Sequence, residues 1–430
     1  MKLLLIHQNL PAQFKHLIQR YARDPAHQVV GICQAHAPSA DDATLPDGVV
    51  QVYKPKRELT AGIHPYLGSL EAGVLNGQAV ATRIRELYRR GFKPDLTLVH
   101  PGWGEGLYIK DVLPDRPLIG FFEFFYGARG LDADFDPEFP VSKDDELRIR
   151  TRNAIHLLNL DACDAGISPT HWQRQVHPAA YQSKITVLHE GIDTQEVVPD
   201  PAAIFELPNG TVLRRDMEVL TFVARSLEPY RGFHVFMRAL PEILRRRPRC
   251  QVVIVGGDEV AYGRRLPEGQ TWRAKMLAEV DVDADRVHFL GQLPWKAHLQ
   301  LLQTSAVHVY LTVPFVLSWS MLEAMSAGCA VIGSNTAPVR EVIHHGRNGL
   351  LVDFFSREQL AEAVDDLFDH PRRRQALAAA GRQTVVARYD SRDALVQYEQ
   401  YFKRVLRDWQ PAAAFASARS APRLCSSSAA

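Results

Sequence analysis

Two arginines six residues apart flank a short loop that follows an apolar run. Arg225 comes directly after the run Leu220–Ala224, and Arg231 precedes the next helical stretch. A guanidinium stays charged at every working pH and grips phosphate oxygens with a planar fork of donors. The pair predicts a site that neutralises a diphosphate without a metal. The alternative is a surface salt-bridge network that includes Glu228.

A second segment begins where another apolar run ends. Ser318, Trp319 and Ser320 should start a helix, with a serine as its cap, and free amides at a helix start attract phosphate. Glu323 lies about one turn further on, among Leu, Ala and Met. A carboxylate there can accept two hydroxyls of a ribose, as an acidic residue does in nucleotide-binding folds. The alternative is a glutamate that only complements the helix dipole.

The N-terminal half holds two polar groups that follow apolar runs. His100 precedes three alternate glycines, and Glu123 lies in an aromatic run. The glycines either let the backbone approach a ligand closely or make a tight turn into the next helix. Burial would raise the pKa of Glu123 and suit it to proton or hydroxyl chemistry. We predict catalytic roles for His100 and Glu123; the alternative for Glu123 is an ion pair with Arg129.

Short apolar runs alternate with helical patterns along the chain, and these elements must position the polar groups. The runs are nearly continuous, which indicates burial on both faces and hence parallel sheets covered by helices. The predicted strands are Leu3–His7, Leu96–His100, Leu118–Phe122, Ile185–Leu188, Leu220–Ala224, Val252–Val255, Val287–Leu290, Val307–Leu311 and Ala330–Gly333. Helices are predicted at Ala79–Arg90, Phe233–Arg245 and Glu358–Asp369. The alternation predicts a doubly wound α/β fold, whose ligands lie at the carboxyl ends of the strands.

The strand series restarts midway, which predicts two Rossmann-like domains that face a cleft. We assign residues 1–192 to the N-terminal domain, 193–218 to a linker and 219–390 to the C-terminal domain. Residues 391–410 form a long amphipathic helix, and residues 411–430 form an Ala/Ser-rich tail that should be disordered.

In order and spacing, these segments resemble the signature of family 4 glycosyltransferases of the GT-B fold. The resemblance extends from Lys2 to about Arg407. It is carried by Arg225…Arg231-Gly232, by residues 322–333 (LEAMSAGCAVIG), by residues 338–343 (PVREVI) and 346–352 (GRNGLLV), and by the passage from Ser168-Pro169-Thr170 to Gly191-Ile192-Asp193.

The resemblance implies a retaining glycosyltransferase that uses a nucleoside diphosphate sugar as co-substrate, with no other cofactor and no metal. Arg225, Arg231 and the amides of residues 318–320 would bind the donor's diphosphate; the family more often has Lys at the second position. Glu323 would bind the nucleotide ribose. The C-terminal helix is expected to pack back on the N-terminal domain.

The acceptor, a glycan, a lipid-linked sugar or a small molecule, is expected on the N-terminal domain near His100 and Glu123. Asn9 and Gln13 of the first loop can hydrogen-bond sugar hydroxyls; the competing prediction is that Asn9 only caps the following helix. A His often occupies the region of Glu123 in the family, so the match there is one of position and not of chemistry.

One position departs from the family pattern. The family has a second Glu eight residues before Glu323 that reaches the sugar hydroxyls, and here that sugar-side position is Phe315. Sugar recognition must therefore be supplied differently. This leaves open a catalytically silent nucleotide-sugar or glycan binder, and also a nucleotide-sugar isomerase of the 2-epimerase kind. A nicotinamide-dependent dehydrogenase is disfavoured because no GxGxxG follows the first strand.

The amino-acid composition limits the classes of partner and ligand that we expect. Fifty Lys and Arg balance 49 Asp and Glu, which gives no reason to expect nucleic acid. The five cysteines form no CxxC pair and the histidines show no zinc-ligand spacing, so we expect reduced thiols and no metal. The first apolar run is too short for a secretory signal, and we expect a cytoplasmic location. The basic run from Arg245 leaves open a peripheral contact with the inner face of a membrane.

Overall fold

The computed structural model describes residues 1–35 and 48–411 of the chain. Within them strands and helices alternate, as the apolar pattern predicts. Beyond its first residue, the predicted disordered tail of residues 411–430 lies outside the described residues.

Apolar runs form the strands because apolar side chains fill a sheet that is covered on both faces. The strands of the described residues are β1 (Lys2–Ile6), β2 (Gln28–Gln34), β3 (Val50–Tyr53), β4 (Leu96–Val99), β5 (Leu118–Phe121), β6 (Ala165–Ser168), β7 (Ile185–Val187), β8 (Ile204–Glu206), β9 (Val212–Arg214), β10 (Val219–Ser226), β11 (Gln251–Gly257), β12 (Val287–Phe289), β13 (Val307–Tyr310), β14 (Ala330–Ser334) and β15 (Leu350–Val352). All the predicted strands are confirmed. The strands that the pattern misses, β2, β3, β6, β8, β9 and β15, are short or interrupted by glycine or polar residues.

Helices fill the connections. Within the described residues they are α1 (Lys15–Ala22), α2 (Gly68–Arg89), α3 (Ile109–Val112), α4 (Lys143–Arg152), α5 (Ala154–Ala162), α6 (His171–Gln175), α7 (Ala179–Gln182), α8 (Phe233–Arg246), α9 (Trp272–Glu279), α10 (Trp295–Thr304), α11 (Trp319–Ser326), α12 (Ala337–Arg340), α13 (Arg357–Asp369), α14 (Pro371–Arg388) and α15 (Ser391–Asp408). The three helices predicted at α2, α8 and α13 are confirmed.

Two parallel sheets, one in each domain, confirm the predicted doubly wound architecture. In the part of the chain that is described, the first sheet has the order β3-β2-β1-β4-β5-β6-β7 and the second the order β12-β11-β10-β13-β14-β15. The chain order reverses beside β1 and beside β10. At such a switch point the carboxyl ends of the strands open a crevice. The loops after β1, β4, β10 and β13 therefore carry the residues to be considered for chemistry.

The segment predicted as a linker, residues 193–218, is packed against the second sheet. It contains the antiparallel pair β8 and β9. Phe205 and Leu213 of this pair join a buried cluster with Val253 of β11 and Leu301 of α10. The segment therefore belongs structurally with the C-terminal domain, although the domain boundaries themselves stay a prediction.

The long C-terminal helix returns to the N-terminal domain, as predicted. Tyr398, Tyr401 and Phe402 of α15 are buried in one cluster with the first strands of the N-terminal sheet. The Tyr401 hydroxyl donates to the carbonyl oxygen of Gly166 at 2.8 Å. The apolar face of the helix is thus the reason that it crosses back between domains.

A loop of the N-terminal domain also lies on the C-terminal domain. Three side chains spaced four residues apart, one in the turn before α8 and two in α8 itself, each contact an acid of the loop. Tyr230 Oη donates to Asp132 Oδ2 at 2.9 Å, His234 Nε2 lies 2.8 Å from Asp136 Oδ2, and Arg238 binds both carboxylate oxygens of Glu138 at 2.6 and 2.9 Å. We call this set of contacts the interdomain strap.

The strap should hold the two domains together. Replacing His234 by Ala leaves the buried Asp136 carboxylate without its partner, which costs about 1–3 kcal/mol. We expect a lower melting temperature and a larger radius of gyration by small-angle scattering. In the control Arg245→Ala, whose ion pair with Glu242 stays within α8, both quantities should be unchanged. A lower melting temperature at constant radius of gyration would contradict an interdomain role.

Candidate active site

The loops at the carboxyl ends of the strands meet at a cleft between the two sheets. Its larger cavity has a volume of about 520 Å³. The residues predicted for the site that line this cavity are Asn9, Gln13, His100, Glu123, Arg225 and Phe315. The structure therefore brings predicted residues from both domains to one place.

A smaller cavity of about 160 Å³ shares the first loop with the larger one. Gln13 lines both cavities. The smaller one is also lined by Trp319 and Glu323 of α11, by Glu190 after β7 and by Trp295 of α10. Indole rings beside carboxylates suit a sugar or nucleoside, because they offer apolar faces together with acceptors for hydroxyl groups.

Glu123 follows β5, and His100 follows the neighbouring strand β4. His100 Nε2 lies 3.5 Å from Glu123 Oε2, and the Gln13 amide donates to Glu123 Oε1 at 2.7 Å. The Gly102 N–H donates to His100 Nδ1 at 3.3 Å, which leaves the imidazole proton on Nε2 and toward the carboxylate. A carboxylate held in this way can orient a hydroxyl group or stabilise positive charge in the cleft.

Two expectations for Glu123 are wrong. Burial does act to raise its pKa, but the His100 imidazole, the Gln13 amide and the charge of Arg231 outweigh burial and hold that pKa below its usual value. Glu123 is consequently ionised at neutral pH. Arg129, the alternative partner, pairs with Glu146 instead.

His7 is a site residue that the sequence analysis missed. It lines the larger cavity, and its ring lies 4.8 Å from that of His100 and 5.4 Å from that of Trp103. Burial, with further help from His100, lowers its pKa well below the usual value, so the ring is neutral. The Asn9 N–H donates to His7 Nδ1 at 2.9 Å. The remaining Nε2–H is buried and has no hydrogen-bond partner among the described residues.

Asn9 does not cap the helix that follows. Its N–H binds the imidazole of His7, while Phe14 occupies the cap position of α1. The side chain of Asn9 remains on the wall of the larger cavity. Its predicted contact with the acceptor stays a prediction.

The glycines of the loop after β4 serve close packing of the chain on itself. A Cβ at Gly104 would lie 2.3 Å from the Cα of Gly73 in α2, and Gly104 has a φ of +95°. A Cβ at Gly106 would lie 2.0 Å from Asn159 Oδ1. Of the three glycines, Gly102 alone lines the larger cavity. The tight-turn interpretation therefore describes two of them better than close approach to a ligand.

The two predicted phosphate-binding arginines occupy different environments. Arg225 is exposed at the end of β10 and lines the larger cavity. Arg231 is buried and lines neither cavity; its Nη1 donates to Val316 O at 2.8 Å and to Thr312 Oγ1 at 3.1 Å. Arg231 therefore ties down the loop between β13 and α11, while its charge acts on Glu123 across the cleft.

The salt-bridge network proposed as the alternative for these arginines is not observed in the described residues. Glu228 is fully buried. Its carboxylate accepts the backbone N–H groups of Tyr262 at 3.2 Å and of Gly263 at 2.7 Å. Glu228 thus fixes the loop after β11.

The start of α11 differs in detail from the prediction. Ser318 occupies the cap position, but its side chain makes no capping hydrogen bond, and its N–H donates to Tyr310 Oη at 2.8 Å. That amide is therefore already in use. Ser320 Oγ is buried and has no hydrogen-bond partner among the described residues. Of the three residues predicted to bind phosphate here, Trp319 lines the smaller cavity, whereas Ser318 and Ser320 line neither cavity.

Glu323 faces α10. His298 Nε2 lies 3.1 Å from Glu323 Oε2, and both side chains are mostly buried, at 12% and 14% exposure. The glutamate is thus positioned by a partner on the neighbouring helix and still lines the smaller cavity. The alternative of a solvated glutamate that only complements the helix dipole fits this burial poorly.

Phe315 is packed in an aromatic cluster that crosses the cleft. Its ring lies 4.7 Å from that of Phe124 in the N-terminal domain, and 5.5 and 4.9 Å from those of Tyr230 and Tyr262. The side chain is 2% exposed. A phenyl ring here offers no hydrogen bond to a sugar, so it acts on the site by packing the domains together.

Glu190 is a second residue that the sequence analysis missed. It follows β7 and accepts a hydrogen bond from Trp319 Nε1 at 3.0 Å, a contact between the domains. Its Oε2 is buried and has no hydrogen-bond partner among the described residues. Burial raises the pKa of Glu190 to about 7. Its signal in the sequence is weak, because an acid in a turn is usually solvated.

The raised pKa of Glu190 predicts a pH-dependent stability. Between its ordinary value of 4.5 and about 7, the folded state binds more protons than the unfolded state, so stability falls as pH rises. By pH 8 the cost reaches about 3 kcal/mol. We expect Glu190→Gln, which keeps an acceptor for Trp319, to lose less melting temperature between pH 5 and pH 8 than the wild type. Glu146→Gln, at a partly exposed acid that pairs with Arg129, serves as the control; equal pH dependence in all three proteins would contradict the assignment.

One group of side chains among the described residues has the spacing of metal ligands: Asp136, Glu138 and His234. All three belong to the interdomain strap. Both carboxylate oxygens of Glu138 are already bound by Arg238. The group is therefore accounted for as an ion-paired contact between the domains.

The basic run that starts at Arg245 is largely neutralised by neighbouring acids. Arg245 and Arg246 pair with Glu242, and Arg247 pairs with Asp365. Among the helices of residues 1–35 and 48–411, none combines the length and the apolar character that crossing a bilayer requires. Four of the five cysteines lie in this part of the chain, where they are buried and form no disulfide with one another.

The chain is similar to known families and proteins in both of its halves. The family described as "Glycosyl transferase family 4 group" matches residues 25–197, and the family described as "Glycosyl transferases group 1" matches residues 206–384. The GDP-mannose-dependent alpha-(1-6)-phosphatidylinositol monomannoside mannosyltransferase of Mycobacterium tuberculosis is 34% identical over 221 residues, 49% of this chain and 53% of that protein. The D-inositol 3-phosphate glycosyltransferase of Rhodococcus jostii is 30% identical over 208 residues, 47% and 44% of the two chains. The matched regions thus span about half the length of these curated relatives.

Solved structures show the same fold. Anabaena HepE in complex with UDP-glucose superimposes with a TM-score of 0.66 at 16% identity, over 94% of this chain and 100% of that one. A sucrose-phosphate synthase from Thermosynechococcus elongatus gives a TM-score of 0.67 at 16% identity, over 95% and 100%. At this identity the likeness concerns the arrangement of the two domains and not the details of the site.

Proposed function

We propose that this chain, which belongs to the group 1 glycosyltransferases, is a retaining enzyme that moves a sugar from a nucleoside diphosphate sugar to a glycan, lipid-linked or small-molecule acceptor. One observation carries the proposal. Arg225 of the C-terminal domain and the Glu123–His100 pair of the N-terminal domain line the same cavity, although about a hundred residues of chain separate them.

On the side of the C-terminal domain, the larger cavity has groups that can stabilise the departing diphosphate. When the anomeric C–O bond breaks, negative charge grows on the leaving group, and fixed positive groups aimed at it lower the barrier. Arg225, which lines the larger cavity, would contact the diphosphate directly. The buried Arg231 adds a charge that water does not screen. These groups can act without a metal.

On the side of the N-terminal domain, the larger cavity has groups that can bind and activate the acceptor. A new bond forms between the anomeric carbon and an acceptor oxygen as the anomeric C–O bond to the diphosphate breaks, and the acceptor's proton passes to the Glu123 carboxylate or to the departing diphosphate oxygen. The ionised Glu123 can accept a hydrogen bond from that hydroxyl or stabilise the positive charge that develops at the anomeric carbon. Retention requires that the hydroxyl attack the face from which the diphosphate departs, which is consistent with both walls opening on one cavity.

Donor binding is the first quantity to measure. Ligands that bind only the folded state raise its melting temperature. A panel of nucleoside diphosphates and their sugars should include GDP-mannose and UDP-glucose, the donors named for a curated relative and for a solved neighbour. We expect one nucleotide to raise the melting temperature. Turnover of the corresponding sugar, with retained anomeric configuration by NMR, would support the enzyme; binding without turnover would support the silent binder that Phe315 leaves open. No shift with any nucleotide would contradict the donor site.

The ribose contact gives a separate prediction. Glu323→Ala removes a charged acceptor of two hydroxyls and should weaken nucleoside diphosphate binding by about 10- to 100-fold, since hydrogen bonds to charged groups contribute about 1.5–3 kcal/mol. Titration calorimetry with the nucleotide found above measures it. Glu362→Ala, an exposed acid on α13, is the matched control. Equal affinity of both variants would remove Glu323 from the ribose site.

A further inference from the structure

A second arginine lies on the N-terminal wall of the larger cavity. Arg152 is the last residue of α4 and lines the cavity together with Arg225 of the other domain. The proposed transfer reaction makes no use of Arg152. Its position on the acceptor side raises the question of what this charge would bind.

The guanidinium of Arg152 is held in place before any ligand arrives. Its central carbon lies 3.8 Å from the ring centre of Tyr126, and Nη2 donates to Tyr126 Oη at 2.9 Å. Tyr126 is itself fixed, because its N–H donates to Asn153 Oδ1 at 3.2 Å and its carbonyl oxygen accepts from Asn153 Nδ2 at 2.7 Å. A side chain ordered in advance loses less entropy when a ligand binds.

No acid neutralises this guanidinium within the part of the chain that is described. Arg148, one turn earlier on α4, pairs with Asp145 at 2.9 Å, whereas no carboxylate oxygen of the described residues lies within 4.0 Å of Arg152. Asp132 acts on Arg152 only at longer range, and its carboxyl accepts from Tyr230. Burial raises the pKa of Asp132 to about 6.

One titratable neighbour of Arg152 on this wall is uncharged. His156 lines the cavity beside Arg152. Burial, together with the charge of Arg152, lowers the pKa of His156 to about 3, so the imidazole is neutral at working pH. Near Arg152 the acceptor wall therefore presents one positive charge, the ring of Tyr126 and a neutral imidazole, while the ionised Glu123 lines the same cavity. This combination suits an oxyanion that carries its charge next to a sugar or polyol ring.

We propose that Arg152 binds an anionic group, a phosphate or a carboxylate, carried by the acceptor. The inference rests on the proposed function, since it assigns the larger cavity to donor sugar and acceptor. The anion belongs to the acceptor because Arg225 on the opposite wall, with the buried charge of Arg231 behind it, already provides for the donor's diphosphate. With Nη2 engaged by Tyr126, Arg152 keeps its other N–H donors for the oxyanion.

The experiment measures how tightly small anions bind to the full chain when its donor site is already filled, with the melting temperature as the readout. The protein is saturated with the nucleoside diphosphate that raises its melting temperature most. Inorganic phosphate and acetate are then titrated separately, with sodium chloride at equal ionic strength as the reference. We expect phosphate or acetate to raise the melting temperature further, and to do so saturably. Arg152→Ala should weaken that anion's affinity at least 10-fold, Arg152→Lys should recover part of it, and Arg150→Ala, an exposed arginine of the same helix outside the cavity, should behave as the wild type.

The outcomes separate this inference from the proposed function. A rise with phosphate alone identifies a phosphorylated acceptor, and a rise with acetate alone identifies a carboxylate. A rise that persists in Arg152→Ala, or no rise above sodium chloride in the wild type, overturns the inference. The nucleotide shift of each variant is recorded first. If that shift is intact, only the anion site has failed; if no nucleotide shifts the wild type, phosphate titration of the unliganded Arg225→Ala variant still tests Arg152, while the donor assignment falls.

Discussion

Glu123→Gln lowers kcat by about 10²- to 10⁴-fold with little change in nucleotide affinity, which is the range for loss of a positioned acid or base. The glutamine keeps the volume of the side chain and can still bond to Gln13. It loses the negative charge that faces His100 and the reacting centre. Initial rates with the identified donor and a saturating acceptor measure the loss, and calorimetry with the nucleoside diphosphate measures the affinity.

The matched control for this variant is Glu146→Gln. Glu146 is an acid of the same domain that pairs with Arg129 outside the cavity. It should retain wild-type kcat. If Glu123→Gln keeps more than a tenth of the wild-type kcat, the carboxylate does not take part in the reaction. The His100 and Glu123 pair would then be structural support for the loop after β4.

Arg231→Ala reduces kcat/KM for the donor by about 10²- to 10³-fold, the range for removing one fixed group that stabilises a developing negative charge. Two effects add in this variant. The charge behind the diphosphate is lost, and the loop before α11 loses its bonds through Val316 O and Thr312 Oγ1. Because the residue is buried, the unpaired oxygens also cost about 1–3 kcal/mol of stability.

Arg231→Lys separates charge from loop support. A lysine keeps the charge but cannot reproduce the planar fork that meets two acceptors. We expect it to recover most of the lost kcat/KM while its melting temperature stays below that of the wild type. Arg264→Ala, an exposed arginine of the same domain, is the control for nonspecific loss of charge. Recovery of stability without recovery of kcat/KM in Arg231→Lys would show that charge alone does not explain the role of Arg231.

The sequence by itself determined the architecture and the order of the motifs. Strands buried on both faces must be apolar along their whole length, so β1, β4 and β10 appear directly in the residue pattern. Parallel strands place their carboxyl ends at one edge of a sheet, and the polar residues after these strands, among them His100 and Arg225, had to face the cleft. These conclusions need only local composition and the geometry of βαβ units.

The tertiary structure decided what each group does electrostatically. Glu123 is ionised because residues distant in the chain, among them His100 and Arg231, converge on it and outweigh burial. The pKa of Glu190 is instead raised, because its carboxyl is buried and one oxygen has no hydrogen-bond partner among the described residues. A pKa depends on the sum of all charges, dipoles and solvent around a group, and a local pattern cannot contain that sum.

Contacts between the domains were likewise visible only in three dimensions. The sequence shows Phe315 as a missing glutamate, whereas the structure shows a phenyl ring packed against Phe124 of the other domain. Arg152 looks in the sequence like one of several arginines on a polar helix. It becomes a candidate binding residue because folding places it on Tyr126 and on the wall opposite Arg225, with no carboxylate oxygen of the described residues within 4.0 Å. Such roles arise from the approach of segments a hundred or more residues apart, which no local periodicity encodes.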